Sequence, residues 1–563
     1  MDIEVLRARA EQWLTDDPDP ASQAELRQLL TGLPDRLAEL ADRFAGPLTF
    51  GTAGLRGPMR AGPNGMNLAV VRQAAAGLVA WLADQDAAGP LVIGYDARHH
   101  SRQFAEETAR VATGAGRAAM LLPRVLPTPV LAHAVRALGA CAAVMVTASH
   151  NPPQDNGYKV YLGERLGGVA GAGAQIVPPV DAEIEAAIRA VGPLSKVPMG
   201  GLGETVSELV VESYLDGAVA VLDPDLVTPA QRAELVVAYT AMHGVGGAVL
   251  AEAFNQAGFA RPLSVPQQAE PDPDFPTVKF PNPEEPGAMD LVLALAASAG
   301  ADLAIANDPD ADRCAVAVPA PGGWRMLRGD EVGVLLADHL MRRGITGLYA
   351  TTIVSSTLLR SMCQRRDLPY DETLTGFKWI VRAGGERADS LVYGYEEALG
   401  YCVAPHHVRD KDGISAALLI AELAAGLKAE LRTLTDRLDE LAVEFGVHAT
   451  DQVSIRVEDL SVITEAMANL RTHPPSALID ERVTELVDLT PAADVVTVRT
   501  PSTRVVVRPS GTEPKLKAYL EVVEPVSDGT TDGGLAGGVG AARERAAARL
   551  AALRTDVAAA LGI

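Results

Sequence analysis

Asp308, Asp310 and Asp312 stand at alternate positions in Asn307-Asp308-Pro309-Asp310-Ala311-Asp312-Arg313, directly after an apolar run. Carboxylates at that spacing can converge on one hard cation, and they repel one another without it. An EF-hand is excluded, because Arg313 holds the turn-glycine position and Pro319 the closing-glutamate position. A compact three-carboxylate site with open positions suits Mg²⁺ bridging to a phosphate oxygen. Ser149, in Val146-Thr147-Ala148-Ser149-His150-Asn151-Pro152, also follows an apolar run. That places it at the C-terminal end of a strand, where α/β sheets bind ligands. It lacks the G-x-S-x-G elbow, so acyl transfer is a weak reading. Lys159, a little further on, can shuttle a proton or stabilise phosphoryl charge. Read alone, this segment is equally a surface turn.

Two more loops follow apolar runs. Arg508-Pro509-Ser510-Gly511-Thr512-Glu513-Pro514-Lys515 offers a guanidinium fork, two hydroxyls and the amides around Gly511, the parts of an anion nest. Gly394-Tyr395-Glu396-Glu397-Ala398-Leu399-Gly400 offers paired carboxylates that can accept hydrogen bonds from sugar hydroxyls. Acidic residues in a first helical turn are an equal reading of that stretch.

These loops need elements to hold them. Strands are predicted at Leu91 to Tyr95, Ala142 to Thr147, Leu235 to Thr240, Leu303 to Asn307, Leu348 to Val354, Leu391 to Tyr393 and Arg504 to Val507. Helical spacing marks Leu68 to Leu82 and Ser415 to Leu427, and residues 1 to about 45 read as helical with a break at Pro34. The alternation predicts α/β domains with largely parallel sheets. Gly163 to Gly173 and Val526 to Gly540 read as mobile, Gly-rich loops, the second ahead of a final helix from Ala541. Asp96 and Arg98 read as an ion pair that supports the loops.

The chain has 563 residues, which suggests roughly four domains. Its net charge of −23 argues against nonspecific binding to nucleic acid or to an anionic membrane surface. An anionic substrate therefore needs cations gathered locally. The four cysteines are scattered, with no C-x-x-C pair, so a cytoplasmic protein without a disulfide framework is expected. No signal peptide and no transmembrane run is predicted.

Together the four loops, with Phe50-Gly51-Thr52-Ala53-Gly54-Leu55-Arg56-Gly57, resemble the α-phosphohexomutase family of phosphoglucomutases and phosphomannomutases. Four features are closest to its phosphopentomutase-like branch: the N-terminal helical region, Tyr239-Thr240-Ala241-Met242-His243-Gly244, Thr373-Leu374-Thr375-Gly376-Phe377-Lys378-Trp379 and the Gly394-to-Gly400 loop itself. The resemblance implies three α/β domains with mixed sheets plus a C-terminal α+β domain around a central cleft. The boundaries it implies are 1–205 for the helical extension and phosphoserine domain, 206–327 for the metal-loop domain, 328–445 for the sugar-loop domain and 446–563 for the phosphate-binding domain.

It also implies roles. Ser149 is phosphorylated and contributes a phosphate oxygen to Mg²⁺ beside Asp308, Asp310 and Asp312, with Arg313 in support. Lys159 and Lys378 match positions proposed for proton transfer, and His150 shapes the loop beside the nucleophile. Arg56, Glu396, Glu397, Arg409, Lys411, Arg508, Ser510, Gly511, Thr512 and Lys515 bind substrate. A bisphosphosugar of the glucose 1,6-bisphosphate type serves as intermediate and activator. Partners are small phosphosugars, and the chain is a monomer or homodimer. The expected reaction interconverts glucose or mannose 1- and 6-phosphates. The alternative is a mutase of ribose or deoxyribose 1- and 5-phosphates, and a more distant one is a sugar phosphatase. In the hexomutase pattern a serine stands where this chain has Ala398, which removes one sugar-hydroxyl partner.

Overall fold

The computed structural model describes residues 3–51, 54–457, 459–510, 515–527 and 534–562. The chain forms two compact units, Met1–Val332 with Phe377–Glu430, and Gly333–Gly376 with Leu431–Ile563.

The first unit opens with helices Ile3–Asp16, Pro20–Thr31 and Leu37–Arg43, which enclose Leu6, Leu26, Leu29, Leu40 and Phe44 in a small core of their own. Pro34 falls between the second and third helices, as its breaking power requires. A six-stranded sheet follows, in the order Leu55–Pro58, Asp155–Leu162, Ala142–Val146, Leu91–Tyr95, Ala119–Leu121, Glu204–Thr205. Its last three junctions are parallel and its first two antiparallel. A five-stranded sheet repeats the device: Val237–Thr240 pairs in parallel with Leu303–Ala306, which pairs antiparallel with Ala315–Ala320. Both sheets are therefore mixed, not largely parallel. The difference lies in Asp155–Leu162 and Ala315–Ala320, return strands absent from the sequence-based set.

Those return strands set the function-bearing loops. Ala142–Val146 runs into the Ser149 loop and comes back as Asp155–Leu162; Leu303–Ala306 runs into the aspartate loop and comes back as Ala315–Ala320. Leu391–Glu396 likewise turns into antiparallel Gly400–Cys402. Each reversal holds one non-glycine residue in the left-handed region: Ser149 at φ 52°, Ala311 at φ 54° and Leu399 at φ 63°. Such backbone persists only where surroundings over-determine it, and it concentrates at functional sites.

Gly163–Gly173 is not a free loop. Glu164–Gly171 is helical, with a break at Gly168. The main chain returns to the neighbouring strand, because Leu162 N–H donates to Ala174 O at 3.1 Å and Gly173 N–H to Leu162 O at 2.8 Å, while Ala172 and Ala174 are buried. Backbone pairing overrides glycine content here.

In the second unit, Leu348–Thr352 pairs in parallel with Tyr370–Thr373. An antiparallel five-stranded sheet runs Val447–Arg456, Lys515–Glu524, Thr503–Pro509, Val496–Arg499, Glu485–Asp488. Helices Leu460–Thr472 and Gly534–Leu561 share its apolar core through Ile463, Met467, Leu470, Leu553 and Val557. The last helix starts well before Ala541. Val539, Ala542 and Ala546 bury one stripe against Ala442 and Val447, a helical spacing that the glycines of that segment obscure. Among the described residues, no helix is long and apolar enough to cross a membrane.

Candidate active site

The Ser149 loop is held from beneath. Buried Arg98 lies 3.4 Å from Asp96 and donates to the carbonyls of Ser149 and Asn151 at 2.6 Å, of Pro152 at 2.9 Å and of Asp155 at 3.2 Å. The Phe275 ring lies 4.9 Å from its guanidinium carbon. Ser149 N–H donates to Thr147 Oγ1 at 2.9 Å. The hydroxyl thus projected donates to Asp308 Oδ2 at 2.8 Å and lies 3.2 Å from His150 Nδ1. Burial, then Arg313 and Arg56, push the His150 imidazole well below its usual range, so it is neutral at pH 7. Arg56 lies 3.3 Å from Asn151 Oδ1. Burial lowers its own pKa, and the field of Asp310 opposes that shift.

Asp308, Asp310 and Asp312 are fully buried, and each offers one ligand atom within 4.8 Å of the others. The protein occupies the remaining oxygens. Asp308 Oδ1 accepts Arg313 N–H at 3.0 Å. Asp310 Oδ2 accepts from Lys159 Nζ at 2.8 Å and from Thr128 Oγ1 at 2.7 Å. Asp312 Oδ2 lies 3.2 Å from both Lys159 and Lys411. Asp310 Oδ1 and Asp312 Oδ1 are buried with no hydrogen-bond partner. An orphaned carboxylate oxygen is costly unless a cation completes it. Burial and the charges of Asp310 and Asp312 drive the Asp308 carboxyl well above the usual range, whereas burial of Asp310 is overcome by Lys159 together with hydrogen bonds from Asp308 and Thr128, which hold it below that range. Three buried oxygen donors that converge in this way fit a hard divalent ion.

The loop at residues 396–400 is joined to this centre by main-chain contacts. Cys314 N–H donates to Leu399 O at 3.1 Å, and Arg313 bridges to Gly400. Gly413, first in the buried helix Gly413–Ala429, lets this packing close, because a Cβ there would lie 2.2 Å from Arg313 O. The side chain of Arg313 lies 3.9 Å from Asp308 and 3.7 Å from Glu284. Glu396 ends its strand, and burial raises its carboxyl despite the nearby Lys411 and Arg313. Glu397 is in the turn that follows.

The two candidate proton carriers differ. Lys159 is buried, yet Asp310 and Asp312 outweigh that burial and raise its pKa. Lys378 is pulled down to about 8 by burial, with Arg382 adding to the shift. It follows Phe377, whose ring lies 5.4 Å from the Lys411 ammonium. Arg409 directs its guanidinium to the carbonyls of Val381 at 3.0 Å and Ala170 at 3.3 Å.

In the second unit, Arg508 is the penultimate residue of strand Thr503–Pro509 and Lys515 begins its antiparallel partner Lys515–Glu524, with Ser510 N–H donating to Lys515 O at 2.8 Å. Gly511 and Thr512 lie outside the described residues. Two side chains of the first unit escaped sequence reasoning. Thr128 binds Asp310, and Asp410 accepts from Tyr161 at 2.9 Å and lies 3.7 Å from Lys411. Thr128 had a signal, a threonine between two prolines at a helix start; Asp410 had none beyond its neighbour Lys411.

Four family models match in order: phosphoglucomutase/phosphomannomutase α/β/α domain I over residues 47–193, domain II over 212–322, domain III over 328–444, and the C-terminal domain over 455–528. The chain belongs to the phosphoglucomutase/phosphomannomutase family, the α-D-phosphohexomutases, and has its fold of three α/β domains and a C-terminal domain. It is an enzyme of the phosphosugar mutase type, an isomerase. A "probable phosphomannomutase" of Haemophilus influenzae is 45% identical over 466 residues, covering 81% of this chain and 93% of the relative. The phosphopentomutase of Mus musculus is 34% identical over 568 residues, covering 91% of this chain and 90% of the relative. A crystal structure from Thermus thermophilus, solved as a phosphomannomutase candidate, superposes with a TM-score of 0.67 at 26% identity, covering 90% of this chain and 99% of that one.

Proposed function

We propose that this enzyme interconverts hexose 1-phosphates and 6-phosphates, those of glucose and mannose, with Ser149 as the phosphoryl carrier. One observation carries the reading: the Ser149 hydroxyl lies 2.8 Å from Asp308, in a buried cluster whose other aspartates hold orphaned oxygens. Mg²⁺ held by Asp308, Asp310 and Asp312 would offset the charge of a phosphoryl group on Ser149 and polarise its phosphorus.

The rest follows from the chain's own groups. Lys159, Lys411, Arg313 and Arg56 surround the carboxylates, so a phosphoryl group of about −2 charge enters a site already rich in cations. The free sugar hydroxyl attacks phosphorus in line and the bond to Ser149 Oγ breaks. Lys378, close to half deprotonated near pH 8, takes the hydroxyl proton. The bisphosphosugar turns over and its other phosphoryl group returns to Ser149, with Lys378 restoring the proton. Lys159, held charged by Asp310 and Asp312, gives a proton to the departing Ser149 Oγ and takes it back when Oγ attacks the second phosphoryl group. Glu396 and Glu397 receive sugar hydroxyls in both orientations. Arg508, Ser510, Gly511, Thr512 and Lys515 grip the phosphate that does not react, which makes the transfer an oriented one. Arg409, held by the carbonyls of Val381 and Ala170, adds positive charge for the substrate beside Lys411. We assign four domains, 1–205, 206–327, 328–445 and 446–563, to a cytoplasmic monomer or homodimer that binds phosphosugars and neither nucleic acid nor membrane.

The test has two parts. Intact-mass measurement of fresh protein is expected to show a phosphate adduct on Ser149; an unmodified serine that also resists labelling by glucose 1,6-bisphosphate overturns the carrier role. Comparison of kcat/KM for glucose, mannose, ribose and deoxyribose 1-phosphates then decides the sugar. A second reading, a pentose 1-/5-phosphate mutase, is favoured by Ala398, which leaves the sugar loop one hydroxyl partner short. A large preference for ribose or deoxyribose establishes it.

A further inference from the structure

Thr128 is absent from the chemistry above, yet it touches the centre twice. It is the first residue of helix Thr128–Ala137, in Leu126-Pro127-Thr128-Pro129. Neither proline has an N–H, and Val130 N–H is taken by Pro127 O at 3.1 Å. The one amide left to the start of this helix, that of Thr128, donates to Asp310 O at 2.9 Å. The side chain adds a second bond, Oγ1–H to Asp310 Oδ2 at 2.7 Å, and Thr128 is fully buried. Lys159 Nζ fills the other side of the same oxygen at 2.8 Å.

The consequence is orientational. A carboxylate can rotate about its Cβ–Cγ bond and present either oxygen, or both, to a cation. With Oδ2 holding two donors, rotation is arrested and Oδ1, the oxygen without a partner, is the one presented. Outer groups that orient a ligand commonly change metal affinity by ~10–100-fold.

We propose that Thr128 is a positioning residue for the divalent cation, fixing Asp310 so that Oδ1 faces the ion. The inference rests on reading the three aspartates as a metal site. Thr128→Val keeps the shape and loses the donor; Asp310 then has Lys159 alone on Oδ2. Thr128→Ser keeps the donor.

Mn²⁺ serves as the probe, with free ion followed by electron paramagnetic resonance during titration of the full-length protein. Thermal denaturation checks that each variant is folded. Thr128→Val is expected to weaken Mn²⁺ binding ~10-fold, and Thr128→Ser to stay within ~3-fold of wild type. Mn²⁺ binding by Thr128→Val equal to wild type overturns the inference, as does equal loss in both variants. Wild type that binds no Mn²⁺ overturns the metal site itself and this inference with it, a distinguishable outcome. Should Thr128→Val not accumulate folded, Thr128→Ala, which adds no bulk, carries the same expectation.

Discussion

Asp338 and the Asp308, Asp310 and Asp312 cluster are buried to the same degree, and the protein treats them in opposite ways. Asp338, on helix Gly329–Arg342, meets Arg437 at 2.7 and 2.8 Å, Arg366 at 3.1 Å and Arg342 at 3.9 Å. Both its oxygens are filled by guanidinium groups. The Asp308, Asp310 and Asp312 cluster has lysines and an arginine close by, yet two oxygens stay empty of hydrogen bonds. A buried acid that the protein neutralises fully is architecture. Three buried acids that converge with two oxygens unfilled can hold a divalent cation.

The comparison can be broken at each end. The largest effect is expected at the nucleophile: Ser149→Ala lowers kcat by at least ~10⁴-fold and removes the phosphate adduct, read by coupled assay and intact mass. Asp310→Asn comes next, with kcat/KM down ~10²–10³-fold and weaker Mn²⁺ binding; chelation of wild type mimics it and Mg²⁺ reverses it. Lys378→Met is expected to cost ~10²-fold in kcat and to abolish a rise of kcat/KM with pH centred near 8. The sign for stability is the same. Its folded value of about 8 lies below the ordinary 10.5, so between those pH values the unfolded chain holds the proton longer. This group's contribution therefore grows as pH rises through that window, and below about 8 its burial penalty is constant. The smallest effect on catalysis belongs to Asp338→Asn, with kcat within ~3-fold of wild type. Stability falls by roughly 3 kcal/mol in denaturant unfolding, because three arginines are left without their acid. A reversal, with Asp338→Asn sparing stability and Asp310→Asn sparing activity, ends the distinction.

The strands that carry the loops were legible, since Leu91–Tyr95 and Leu303–Ala306 are apolar runs bounded by turn residues. The return strands were not. Asp155–Leu162 mixes Asp, Asn, Gly and Lys, because its side chains serve the site as well as the sheet; Lys159 is one of them. Among candidate side chains, the alternate spacing of Asp308, Asp310 and Asp312 was legible, and the structure brings the three carboxylates together. Which lysine stays charged depends on Asp310, Asp312 and Arg382, partners distant in sequence, and so does Thr128's hold on Asp310.

The bond from Cys314 N–H to Leu399 O, with the bridge from Arg313 to Gly400, couples the two loops proposed above to hold the cation and the sugar. Anyone retailoring residues 397–399 to welcome another carbohydrate would tug on the ion's own cradle. Selectivity and turnover would then drift together under mutation, and libraries confined to that hairpin would recover few variants improved in one without a change in the other.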